Sequence, residues 1–232
     1  MVPAWRRYAV TNLALAQKAH LRGVLAARGI TCRVVVVADD ENLDIARSYG
    51  FDTVEQENVL GRKVNDGFEY ACREGADYVG FVGSDDWLHE DAFDWLDGSR
   101  VCAGHHIAVV DMESGLLRRL GVRGPQGVPP WLIPRHALER SGFRPADDAR
   151  TWGMEGSILA GIGPVDWRFD DPHDLVRVDF KTDENMTSYR RITGLLGYGS
   201  ELPAWPQLAA RYPEPLVALA ERTSKALEPV PV

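Results

Sequence analysis

The residues of this sequence best placed to do chemistry are carboxylates that follow apolar runs. Asp39 and Asp40 close the run Arg33-Val-Val-Val-Val-Ala38, and Ser84-Asp85-Asp86 follows Tyr78-Val-Gly-Phe-Val82. An aspartate between a strand and a helix commonly caps the helix, accepting from its free amides. Capping accounts for Asp40 as well as any other role does, but for only one of Asp85 and Asp86. Two adjacent carboxylates after a buried strand repel each other. A hard divalent cation relieves that repulsion, and carboxylate oxygens suit magnesium or manganese. Asp85 and Asp86 are therefore expected metal ligands. A further acidic candidate is Glu155 in Trp152-Gly-Met-Glu-Gly-Ser-Ile-Leu159, in the first turn of an expected helix, where the macrodipole favours an acid in any case.

The elements that must position these groups are readable from periodicity. Val10, Leu13, Ala14, Leu21, Val24 and Leu25 recur at helical spacing, so a helix is predicted over 8–28, closed by Gly29. The run 34–38 is apolar at every position, as a strand covered on both faces must be. A short helix at 41–49, a strand at 53–56, a helix at 61–74, a strand at 78–82 and a short helix near 91–96 follow. That rhythm predicts a three-layer αβα fold with a mixed, mostly parallel sheet. Ligands of such a sheet bind outside the carboxyl ends of its strands. Three polar groups fall there: Pro3-Ala-Trp-Arg6, Asp39-Asp40 and Ser84-Asp85-Asp86. Met1–Trp5 resembles the tail of a strand, so either the first strand is very short or the true start lies upstream.

Beyond about residue 105 the pattern changes. His106–Val110 and Leu116–Val122 predict an antiparallel pair, and Gly124–Pro130 a loop with the composition of a mobile lid. Helices are expected at 134–141 and 152–162, a strand at 175–180, and a helix within the proline-opened segment 202–227. The expected organisation is one domain over 1–200, with a ligand-binding half (1–100) and an irregular half (101–200), plus a helical appendage at 201–232.

Composition sets outer limits. The chain has 232 residues, with 26 basic against 34 acidic side chains and no basic run. Nucleic acid is therefore not an expected partner, because backbone binding needs clustered Lys and Arg. No run of about 18 apolar residues occurs, so neither a membrane span nor a signal peptide is expected. Cys32, Cys72 and Cys102 form no paired spacing, which fits a reducing cytoplasm.

Four blocks, Val2-Pro-Ala-Trp-Arg6, Val35-Val-Val-Ala-Asp-Asp40, Leu60-Gly-Arg-Lys-Val-Asn-Asp-Gly67 and Phe81-Val-Gly-Ser-Asp-Asp-Trp-Leu88, resemble in order and spacing the family 2 glycosyltransferases of GT-A fold. The resemblance covers about the first 100 residues and thins afterwards. It implies a nucleotide-sugar donor, a UDP-sugar, bound by Pro3, Ala4, Trp5, Arg6, Asp39, Lys63, Asn65, Ser84 and Asp85. Asp39 would read the uracil, and Asp85 matches the last aspartate of the metal-binding DxD, with Asp86 beside it. Gly83 stands where the first aspartate often lies. Asn65 matches the family's asparagine, and the arginine often preceding it is Val64 here, so Arg62 or Lys63 is expected to replace it.

The same resemblance implies transfer to an acceptor hydroxyl, metal-assisted by Mn2+ or Mg2+ and inverting. Glu155 matches the family's acidic position on the acceptor side and is the expected general base, with Asp147, Asp148 and Asp166 in reserve. Trp131 and Trp152 are candidates for stacking on a sugar, His173 for a further metal or phosphate contact, and Lys181 and Asn185 for the diphosphate. The acceptor, whether protein, glycan or lipid-linked, and the sugar are not readable. A nucleotidyltransferase shares this sheet and its aspartates but normally carries a glycine-rich loop after the first strand. Pro3-Ala-Trp-Arg-Arg7 has no glycine. A non-catalytic sugar-binding or assembly protein of the same fold is kept open by Gly83.

Overall fold

The computed structural model describes residues 1–121, 128–170, 175–183 and 189–227. The first half runs β1 (Val2–Pro3), α1 (Tyr8–Ala27), β2 (Val35–Ala38), α2 (Asn42–Ser48), β3 (Asp52–Glu55), α3 (Leu60–Arg73), β4 (Tyr78–Phe81) and β5 (Asp86–Leu88). There follow β6 (Val101–Gly104), β7 (His106–Asp111), β8 (Leu116–Gly121), β9 (Val128–Pro134), α4 (Arg135–Glu139), α5 (Met154–Ile162) and β10 (Trp167–Asp170). The chain continues through β11 (Arg177–Lys181), α6 (Tyr189–Leu196), β12 (Gly197–Pro203), α7 (Ala204–Ala209) and α8 (Glu214–Leu227).

Alternation along β2 builds the three layers. Val35 packs with Val64, Phe68 and Cys72 of α3, whereas Val36 and Ala38 pack with Leu15 of α1. Side chains of period two thus put one helix on each face of the sheet. β1, β2 and β3 pair in parallel, with Val2 opposite Val36 and Val35 opposite Asp52. Met1 joins them to β4: its amine donates to the Gly80 carbonyl (2.6 Å), and its own carbonyl accepts from the Val82 amide (3.2 Å). From β4 the order continues through β9 and β6 to β10. A five-stranded sheet, β12-β8-β7-β11-β5, forms the other half, and β5 carries the chain into it directly after β4.

Several elements differ from the sequence reading. Val128–Pro130, expected within a loop, belongs to β9, and its prolines sit where the register against β6 shifts between Cys102 and Gly104. Bulged positions are where a sheet tolerates proline. The rest of that loop, 122–127, lies outside the described residues. The helix expected near 91–96 is a single 3-10 turn, Glu90–Phe93. β5, β6, β10 and β12 are too short or too polar to stand out by period. α8 packs through Leu216, Val217, Leu219 and Ala220 against a core that includes Val10 and Leu13 of α1. No described helix is long and apolar enough to cross a membrane.

The second half is clamped to the first by close backbone approach. A Cβ on Gly61 would stand 1.9 Å from the Asp147 carbonyl oxygen, and one on Gly161 would stand 2.0 Å from that of Pro145. The segment 145–150 is thereby wedged between α3 and α5. Gly161→Ala is expected to lower stability by about 1–3 kcal/mol through overpacking. Gly23→Ala, in α1 with open space around the added methyl, should raise it by about 0.5–1 kcal/mol. Urea midpoints at constant m-value measure both.

Candidate functional site

Strands β5 and β11 run antiparallel with Asp86 directly opposite Asp179. Like charges facing each other across a ladder are destabilising, and here Asp179 is buried and Asp86 half-buried. Asp85 adds a third carboxylate, and one ligand atom from each of the three lies within 4.8 Å of the others. Gly83 makes the crowding possible. Its amide donates to Asp86 Oδ2 (2.8 Å), and a Cβ there would stand 2.6 Å from Asp86 Oδ2 and 2.8 Å from Asp85 Oδ1. The carboxylate of Asp86 thus fills the space where a side chain at position 83 would begin.

Three cations answer the three acids. The Arg7 guanidinium donates to Asp85 Oδ2 (2.8 Å) and Ser84 Oγ (3.0 Å). Lys181 Nζ lies 2.7 Å from Asp179 Oδ2 and 3.8 Å from Asp85 Oδ2. Lys18, buried in α1, donates to the Asp86 carbonyl oxygen (2.7 Å). Burial, reinforced by the neighbouring acids, pushes Asp86 up to about 8. Burial pushes Asp179 up to about 6, the Asp85 charge adding to it against the pull of Lys181. Burial also brings Lys18 down to about 8. Asp179 Oδ1 is buried without a hydrogen-bond partner. Asp179 escaped the sequence reading because it sits inside an apolar strand, 93 positions from Asp86.

The ends of β1 and β2 meet nearby through a lysine. Lys63, 1% exposed, donates from Nζ to the Ala4 carbonyl and to Asp39 Oδ1, both at 2.8 Å, while the Asp39 side chain stays 30% exposed. Asp40 is occupied structurally: Oδ1 accepts from the amide and side chain of Asn42, and Oδ2 from the Arg6 amide (2.8 Å). Pro3 and Ala4 are buried, whereas Trp5 is exposed with the Arg6 guanidinium 4.4 Å over its ring. Asn65 faces the other way. Its side chain is spent on the Ala146 backbone and Asp148 Oδ1, so it anchors segment 145–150 instead of meeting the cleft.

In the second half, Glu155 is exposed in the first turn of α5, whose N-cap Gly153 is left-handed. Trp152, next to that cap, is 70% exposed, but Trp131 is 1% exposed and packs edge-on to Trp167. Trp131 is therefore a core residue and offers no face to a sugar. Asp147 accepts from the Ala149 amide, Asp148 pairs with Asn65 and Arg144, and the Asp166 carbonyl accepts from Val101. His173 and Asn185 lie outside the described residues.

No family model matches the sequence, and no curated protein matches it. Among solved structures, the chain is similar to S. aureus TarS 1-349 in complex with UDP-GlcNAc. The alignment covers 97% of this chain and 68% of that one at 15% identity, with a TM-score of 0.55. A second S. aureus TarS structure aligns over 79% of this chain and 34% of that one, at 17% identity and a TM-score of 0.37. The first likeness shows the fold. It is a GT-A-like glycosyltransferase fold. In this chain Asp39 follows β2 and Asp85 and Asp86 follow β4, whereas Asp179 lies within β11 and Lys63 within α3.

The raised acids carry a pH signature. Folded Asp86 and Asp179 keep protons at pH values where the unfolded chain, with ordinary carboxylates near 3.8, has lost them. Their contribution to stability is fully present below about pH 4 and is lost as pH rises through about 6 and about 8. The depressed Lys18 acts in the opposite sense and only above about 8. In chelator, the thermal midpoint should fall between pH 5 and 8, and Asp86→Asn should flatten that fall.

Proposed function

We propose that this chain transfers a sugar from a UDP-sugar to an acceptor hydroxyl, with inversion and with the help of a divalent cation. The observation that carries the reading is the convergence of the ends of β1, β2 and β4. Lys63 ties the first two together and Arg7 ties the start of α1 to the third. The same fold in TarS was solved with UDP-GlcNAc, which supports a nucleotide-sugar donor at this edge.

Each residue has a role set by its surroundings. Asp39, steadied by Lys63 yet partly exposed, accepts from the base. The donor set of the triad suits Mn2+ or Mg2+: three carboxylates at short range, one carrying a buried oxygen without a partner. When bound, such an ion supplies a Lewis acid for the leaving diphosphate. Arg7 and Lys181 add fixed positive charge at the same edge, where negative charge develops on the leaving group. Glu155 takes the proton of the attacking hydroxyl, and an exposed carboxylate at a helix start can reach an incoming acceptor. Trp152 offers the acceptor an apolar face.

A panel of UDP- and GDP-sugars, with and without Mn2+, tests this by thermal shift and slow donor hydrolysis. A UDP-sugar should stabilise the wild type, and Asp85→Ala should lose both stabilisation and hydrolysis. Failure of every nucleotide sugar, or an Asp85→Ala variant equal to wild type, would sink the transferase reading. Glu155→Gln is expected to keep donor binding and lose transfer by about 100-fold or more. Loss of donor binding in that variant would instead make Glu155 structural.

A further inference from the structure

Among the described residues, three cations already crowd the acidic triad. Asp85, Asp86 and Asp179 stand against Arg7, Lys18 and Lys181. A dication added to that cluster creates an excess of positive charge unless a resident cation leaves or an anion arrives. Arg7 is the cation free to leave. Its side chain is 20% exposed against 11% for Lys181, whereas Lys18 is buried and held by the Asp86 and Ala14 carbonyls.

Arg7 is also held in place at a cost. Arg6 and Arg7 are consecutive non-glycine residues at φ 52° and 49°, a left-handed conformation that is sterically unfavourable for a residue with a Cβ. The Asp40 carboxylate fixes the first through its amide (2.8 Å), and Asp85 with Ser84 fixes the second through its guanidinium. Arg7 also precedes the first turn of α1, which carries no acidic side chain and no side-chain cap. Free amides there favour an anion beside the guanidinium.

We infer that Arg7 and a divalent cation are alternative partners of Asp85, and that cation binding hands the Arg7 guanidinium to the diphosphate of the donor. This rests on the donor reading above for its second half only. The exchange explains how a cluster already crowded with cations accepts a dication: the released guanidinium meets the arriving diphosphate, so metal and nucleotide bind as a pair. No bond is made or broken in it beyond the ion pairs named.

Mn2+ alone, then UDP in the presence and absence of Mn2+, are titrated into wild type, Arg7→Ala and Arg7→Lys by calorimetry, with thermal melts as a check of folding. Arg7→Ala should bind Mn2+ about tenfold more tightly than wild type, and its UDP affinity with Mn2+ present should fall by at least about tenfold. Arg7→Lys, which keeps the charge but not the fork, should lie between the two and keeps the test decisive if Arg7→Ala fails to fold. Equal Mn2+ affinity in wild type and the folded variants overturns the exchange, and unchanged UDP affinity with Mn2+ overturns the handover. UDP that binds no form of the protein defeats the donor reading, while the Mn2+ comparison still decides whether Arg7 competes for Asp85.

Discussion

Three carboxylates forced together under a sheet edge set the terms for much of this structure. Burial makes Asp86 and Asp179 reluctant to ionise, and the neighbouring carboxylates make it worse. The surrounding chain is arranged to supply what they lack. β5 leaves the first sheet to pair with β11, which brings Asp86 against Asp179 and places Lys181 two residues beyond. Helix α1 contributes Arg7 just before its start and Lys18 three turns later. The same helix holds β5 through Gln17, whose side chain donates to the Leu88 carbonyl (2.6 Å). Helix, strand end and acidic cluster therefore form one electrostatic unit, and Gly83 leaves the room that lets two acids share it.

Much of the first half was legible in the sequence because its signals are local. An unbroken β-branched run such as Val34–Val37 can only be a covered strand, and apolar spacing in α1 and α3 fixed which faces pack on it. Asp39, Ser84, Asp85 and Asp86 were readable for the same reason, since they follow such runs. What escaped was non-local. Asp179 lies in a strand that reads as core, and its role comes from a pairing between elements 93 positions apart. Arg7 was passed over because no period or motif marks a residue whose importance lies in a left-handed backbone and a partner 78 positions away.

The second half was harder to read for a different reason. Its geometry depends on contacts of backbone with backbone, which side-chain patterns do not encode. Gly61 and Gly161 matter through the room they leave, and Asn65 through hydrogen bonds to a segment 81 positions on. The sequence placed Asn65 at the ligand, and the structure spends it on holding the two halves together. Trp131 and Trp152 show the same limit: identical in type, one is core and the other stands in solvent.

The balance of three acids against three bases also bears on how this chain can drift. Removing one partner of a buried pair leaves a stranded charge, at about 3–5 kcal/mol, whereas replacing both by well-packed apolar groups can be nearly neutral. Arg7 and Asp85 are thus bound to one another in inheritance as well as in space: a lineage sheds them together or keeps both. Paired loss at those two positions in a descendant would mark the moment when it gave up this cluster.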